Sequence, residues 1–111
     1  MKKLTKIQLN KTLTNHKSWL VDHNTGKKAD LRDVDLRETN LRWADLRNAD
    51  LRNTDLRKAD LSDADLRYAD LRWADLRLVD LRYANLRKVD LRNADLRLAN
   101  LRYADLEGII F

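Results

Sequence analysis

From Ala29 to Gly108 the hydrophobic and polar positions follow a beat of five. The first units read Ala-Asp-Leu-Arg-Asp, Val-Asp-Leu-Arg-Glu and Thr-Asn-Leu-Arg-Trp, and sixteen units run without insertion to Ala104-Asp105-Leu106-Glu107-Gly108. A helix turns roughly 100° per residue, so a step of five turns about 140° and the leucines would form no face. An unbroken strand fails as well, because an odd period sends successive leucines to opposite sides. The pattern fits a short strand and a corner. Within a unit, period two puts the small residue (Ala, Val or Thr) and the Leu on one side and the intervening Asp or Asn on the other. The Arg also points out, and the fifth residue turns the chain.

Such a unit cannot bury its own apolar side and must stack on its neighbours. The expected core is therefore a ladder of Leu31, Leu36, Leu41, Leu46, Leu51, Leu56, Leu61, Leu66, Leu71, Leu76, Leu81, Leu86, Leu91, Leu96, Leu101 and Leu106. Stacking intervals of fifteen and twenty residues both leave plausible corner columns, and the corner residues do not choose between them.

The uninterrupted run of Ala-Asp-Leu-Arg-x closely resembles the pentapeptide-repeat family, whose unit is commonly written Ala-(Asp or Asn)-Leu-x-x. The resemblance implies an all-β solenoid. Its form is a right-handed quadrilateral β-helix with four units per coil, hence about four coils, and the leucines inside; the bare edge of the first coil calls in addition for an N-terminal α-helical cap. Many members place Gly or Asn at the corner, where a type II turn needs positive φ. Here the corners include Trp43, Tyr68, Trp73, Leu78, Tyr83 and Tyr103. Bulky residues tolerate positive φ poorly. Most corners are thus expected to use a turn without it, with Asn48, Asn53, Asn93 and Gly108 as exceptions.

Three segments are expected: 1–28, a capping helix and connector; 29–108, the repeats; and 109–111, an apolar tail that leaves the repeat. In the first, Thr5 and Gln8 have capping-box spacing, and Leu4 with Leu9 fits a hydrophobic staple. A helix from about Lys6 to about Val21 follows, packing through Leu9, Leu13, His16 and Leu20 with Trp19 beside them, and Gly26 is a stop signal. His16-Lys17-Ser18-Trp19-Leu20, shortly before the first repeat, also looks like N-terminal segments of some family members.

The net charge of +5 is uneven. Residues 1–28 hold seven lysines and one acid, whereas the repeats hold sixteen bases and seventeen acids, a balance of −1. Each face of the stack should carry Asp and Arg columns side by side, an ion-paired lattice that removes the cost of a like-charge ladder. Asn40, Asn85 and Asn100 replace Asp, and Ser62 and Glu107 replace Arg.

Catalysis needs a nucleophile or an acid–base group in a cleft. The two histidines lie in the first segment, with His16 expected on the helix face and His23 in solvent, and the carboxylates lie beside arginines. No enzyme activity, cofactor or metal site is expected. There is no cysteine, and no apolar stretch follows Met1-Lys2-Lys3, which points to a cytoplasmic protein without a membrane segment.

The expected function is a structural or protein-interaction module. With four units per coil, Leu78 and Leu98 share a corner, as do Tyr83 and Tyr103. With Ile109, Ile110 and Phe111 they are expected to form one contiguous apolar patch at the C-terminal end, through which the chain makes a homodimer; family members often dimerise there. An unidentified protein partner would use the free faces. The alternative is a nucleic-acid-associated or gyrase-directed regulator. Some family members protect DNA gyrase with a long acidic rod, but this prism is short and near-neutral, and each Arg beside an Asp cancels the field that would attract nucleic acid.

Overall fold

The repeat pattern becomes a ladder with a single register. In the computed structural model, which describes residues 1–111, Asp30 pairs in parallel with Asp50, Asp50 with Asp70 and Asp70 with Asp90, and the same interval of twenty holds on every side. Five residues per unit and twenty per turn make a four-sided stack, which excludes the interval of fifteen. The Leu31 N–H donates to Asp50 O (2.8 Å), the Asp33 N–H to Arg52 O (3.1 Å) and the Asp50 N–H back to Ala29 O (3.1 Å), and this trio recurs along the chain. Backbone groups that a lone five-residue strand would leave bare are thus satisfied by the coils above and below.

Corners repeat with equal regularity, and they correct the expectation above. Each fifth residue from Asp33 to Tyr103 has φ between 58° and 64°, and Gly108 has φ 71°. From Thr39 on, the residue after each corner donates its N–H to the preceding Leu carbonyl, as Ala44 does to Leu41 at 3.1 Å. A four-residue turn with positive φ only at its third position is type II. Trp, Tyr, Leu and Lys adopt it as Asn does, because the ladder bonds on either side leave the chain no other way round.

Alanines and leucines fill the interior. The leucines from Leu31 to Leu91 are buried, but Leu96 and Leu101 are half-buried and Leu106 is 43% exposed. The expected ladder therefore opens at its C-terminal end, where no coil lies above. The tail does not leave the repeat. Ile109 closes the turn onto Leu106 O, and Ile110 pairs with Asp90, so Ile109-Ile110-Phe111 occupies the Ala-Asp-Leu positions of another unit.

At the other end, strand β1 (Lys2–Lys3) runs parallel to β2 (Val34–Asp35) and covers the edge of one side. Helix α1 (Lys6–Val21) follows, opened by a reciprocal capping box in which the Gln8 N–H donates to Thr5 Oγ1 and the Thr5 N–H to Gln8 Oε1. Leu9 is buried in the core, and Leu4 and Leu13 pack partly buried against it. Leu20 and Trp19 are half-buried outside that cluster. His23 is exposed, as expected, and its ring stacks on Trp19 at 4.0 Å. The helix stops at Asp22 in extended conformation, before Gly26. Gly26, at φ 60°, instead brings the chain back against the helix, where an added Cβ would lie 2.2 Å from Asn15 O. The helix is not long and apolar enough to cross a membrane.

Candidate interaction surface

The outer surface is built by one side-chain motif. In the unit of Asp50, Oδ1 accepts the Arg52 N–H (3.3 Å), which fixes the turn. The Arg52 guanidinium then forks onto the same carboxylate, with Nε on Oδ1 at 2.9 Å and Nη2 on Oδ2 at 2.7 Å. Its Nε also lies 3.7 Å from Asp70 of the next coil. The Arg52 guanidinium thus sits between two carboxylates, and the same bridge recurs at Arg32, Arg37, Arg47, Arg57, Arg72 and Arg77.

The carboxylates feel this arrangement. Hydrogen bonding from Arg32 and from Arg97 holds Asp30 and Asp95 down at about 2, and Asp50, Asp55, Asp70 and Asp75 are lowered by the same kind of bond. Such carboxylates are ionised and already occupied, which leaves them little capacity as acids, bases or metal ligands.

His16 is equally committed. It is fully buried, and the Ala29 N–H donates to its Nδ1 at 2.9 Å, so Nδ1 carries no proton. Nε2, 2.8 Å from Arg47 O, must therefore be the donor, and the ring is neutral. Burial lowers its pKa, against the opposing pull of the Arg47 carbonyl and Asp45.

The register of twenty assigns every outward residue to one of four faces, named here by their first residue. The Asp30 and Asp35 faces carry four Asp and four Arg each, all in the forked arrangement. On the Asp45 face, Asn85 leaves Arg87 without a carboxylate in its own unit, and Arg87 turns to Asp105 (3.2 Å) and to Glu107. On the Asn40 face, Asp80 and Arg82 form the one forked pair. Asn40 and Asn100 keep only the turn bond to the Arg N–H.

The predicted apolar patch is divided. Tyr83 and Tyr103 share a corner column, their rings stacked at 5.1 Å, and Leu78 and Leu98 share the preceding column. These columns are the two edges of the Asn40 face. Ile109, Ile110 and Phe111 lie across the prism, on the Asp30 face. The sequence showed each column once an interval of twenty was taken, but not that the tail lies on the side opposite the strip.

Comparison with known proteins agrees with this geometry. A family model described as pentapeptide repeats matches residues 27–53, 44–82 and 74–111, with eight copies. No curated protein matches the sequence. Among solved structures, a pentapeptide repeat protein from the Arabidopsis thaliana thylakoid lumen superposes with TM-score 0.74 and 34% identity, over 76% of this chain and 59% of its own. HetL, a pentapeptide repeat protein involved in heterocyst differentiation regulation in the cyanobacterium Nostoc sp. strain PCC 7120, gives TM-score 0.50 and 39% identity, over 72% of this chain and 39% of its own. A further pentapeptide repeat protein of that Nostoc strain gives TM-score 0.51 and 35% identity, over 97% of this chain and 75% of its own. The chain thus spans less than two thirds of the first two. With its repeats matched through residues 27–111 and their ladder closing every twenty residues, the chain belongs to the pentapeptide-repeat family, whose fold is the right-handed quadrilateral β-helix.

Proposed function

We propose that the chain is a non-enzymatic interaction module. It is a rigid prism of four coils, capped at its N-terminal end by α1 and β1, and it forms a two-fold homodimer through its C-terminal end. The observation that carries this reading is the difference between the ends. Leu31, Leu36, Leu41 and Leu46 are at most 2% exposed beneath the N-terminal segment. At the other end Leu106 is 43% and Phe111 80% exposed, and the N–H groups of Leu96, Leu101 and Leu106 donate to no carbonyl. An open leucine core rimmed by unpaired backbone groups favours association, and two-fold pairing is the commonest way for identical chains to satisfy it.

Light scattering over a wide concentration range, in low and high salt, tests this. The expected result is a dimer that survives salt, because apolar burial is not screened. Changing Ile110 and Phe111 to Asp should give a soluble monomer. A monomeric parent, or a double variant that stays dimeric, overturns self-association through this end.

A further inference from the structure

Five positions depart from the Asp/Arg rule, and three of them, Asn40, Ser62 and Asn100, fall on one face. The two on the neighbouring face compensate each other, since the arginine released by Asn85 is taken by Asp105 and Glu107. On the Asn40 face compensation is incomplete. Arg102 has no carboxylate within 4 Å, and its guanidinium lies over the Tyr103 ring at 5.8 Å. Arg42 reaches one carboxylate, Asp63, at 3.8 Å, and lies over the Trp43 ring at 4.2 Å. Asp60 is held by the Ser62 hydroxyl at 2.5 Å in place of a guanidinium. The same face is the one with apolar residues at both edges in two successive coils: Leu78 and Leu98 along one, Tyr83 and Tyr103 along the other.

We propose that the upper half of this face docks a short acidic segment of a partner protein, which sets a carboxylate on Arg102 and lays apolar side chains over the Leu and Tyr edges. The assignment rests on the reading of the chain as an interaction module, though not on its self-association. A guanidinium with no carboxylate partner, on a surface where most others are forked onto carboxylates, is the group best placed to fork onto one from outside. The flanking rings and aliphatic chains supply the desolvated contacts that surround such an anchor. Nucleic acid fits less well. Asp60, Asp63 and Asp80 lie beside the arginines and repel a repeating polyanion, and only the Tyr83–Tyr103 edge offers a stacking surface, Leu78 and Leu98 offering none.

The test selects a displayed library of random peptides on the full chain. Binding of the enriched peptides is then measured by fluorescence anisotropy. The expected peptides carry a carboxylate between aliphatic or aromatic residues. They should bind Arg102→Glu and Leu78→Lys more than about tenfold more weakly, and Asn93→Lys, on another corner, as well as the parent. A peptide with its acid changed to Lys should lose the parent and regain affinity for Arg102→Glu. All four chains should keep the same far-UV circular dichroism and the same mass, which separates this surface from the C-terminal end. Binders indifferent to both substitutions overturn the site while leaving an interaction module. An empty selection overturns both. Arg102-dependent binding of a single-stranded oligothymidylate overturns the protein partner in favour of nucleic acid.

Discussion

At each corner an L-residue holds φ near +60°, a conformation that costs non-glycine residues about 1–3 kcal/mol. The neighbouring ladder bonds impose it regardless of side chain, so the corner is where residue preference and fold disagree most. Lys58, at φ 60° and without a hydrogen-bonding partner of its own side chain, is a clean place to measure this. Lys58→Gly should raise stability by about 1 kcal/mol, strain relief exceeding the entropy of the freer unfolded chain, and Lys58→Val should lower it by about 1–2 kcal/mol. Thermal unfolding of the two variants checks the sign; a destabilised glycine variant would mean that the corner carries no strain. The aspartates set a second residue-scale expectation. Their folded pKa values lie below the unfolded ones, so the unfolded chain binds protons first as pH falls. Their contribution is therefore complete above about pH 4–5 and is lost as pH drops from about 4 through about 2. Melting temperatures of the His16→Ala chain, which lacks the histidine titration, should show a plateau at pH 6 and 5 and then a decline at pH 3 and 2.5.

At the scale of elements, α1 was legible because its signals are local. Thr5 and Gln8 form the capping box, and the helix spans Lys6–Val21 as the spacing predicts. Strand β1 was not legible, since Lys2 and Lys3 show no apolar pattern and join the edge through backbone alone. His16 was recognisable as a packing residue, but its two backbone partners, Ala29 and Arg47, come from the repeats and could not be inferred from the helix. His16→Ala should cost about 2–4 kcal/mol, by leaving two backbone groups unpaired and a cavity beside the first coil. Because burial lowers the His16 pKa, the unfolded chain takes up its proton first. Stability is full above about pH 6.5 and falls as the pH drops below that value. Asp45 favours the charged ring and Lys28 and Arg47 oppose it. The parent should therefore lose stability between pH 7 and 5, and His16→Ala should be flat there. A parent flat over that range would contradict the neutral ring.

For the whole molecule, an N-terminal cap predicts that removing residues 1–22 exposes the first leucines and the strand edge of the Val34–Asp35 side. The truncated chain should aggregate or melt at lower temperature, as solenoids without end caps do. A truncated chain with the parent's melting temperature and solubility would mean that α1 has another purpose. Charge, too, is a property of the whole prism. The near-neutral repeat region hides two saturated faces, one repaired face and one with an unmet guanidinium, and net charge alone distinguishes none of them.

The sequence by itself determined the unit. Period-two geometry within five residues separates the buried Ala and Leu from the exposed Asp and Arg, and a shared period forces units to stack. It also determined the helix, whose bonds join residues close along the chain. The tertiary structure alone decided how many units close a turn, because closure depends on corner geometry and on contacts between residues twenty apart. That interval imposes positive φ on tryptophans and tyrosines. It also gathers Asn40, Ser62 and Asn100 between the Leu and Tyr edges, and sends Ile110 and Phe111 to the opposite side of the prism.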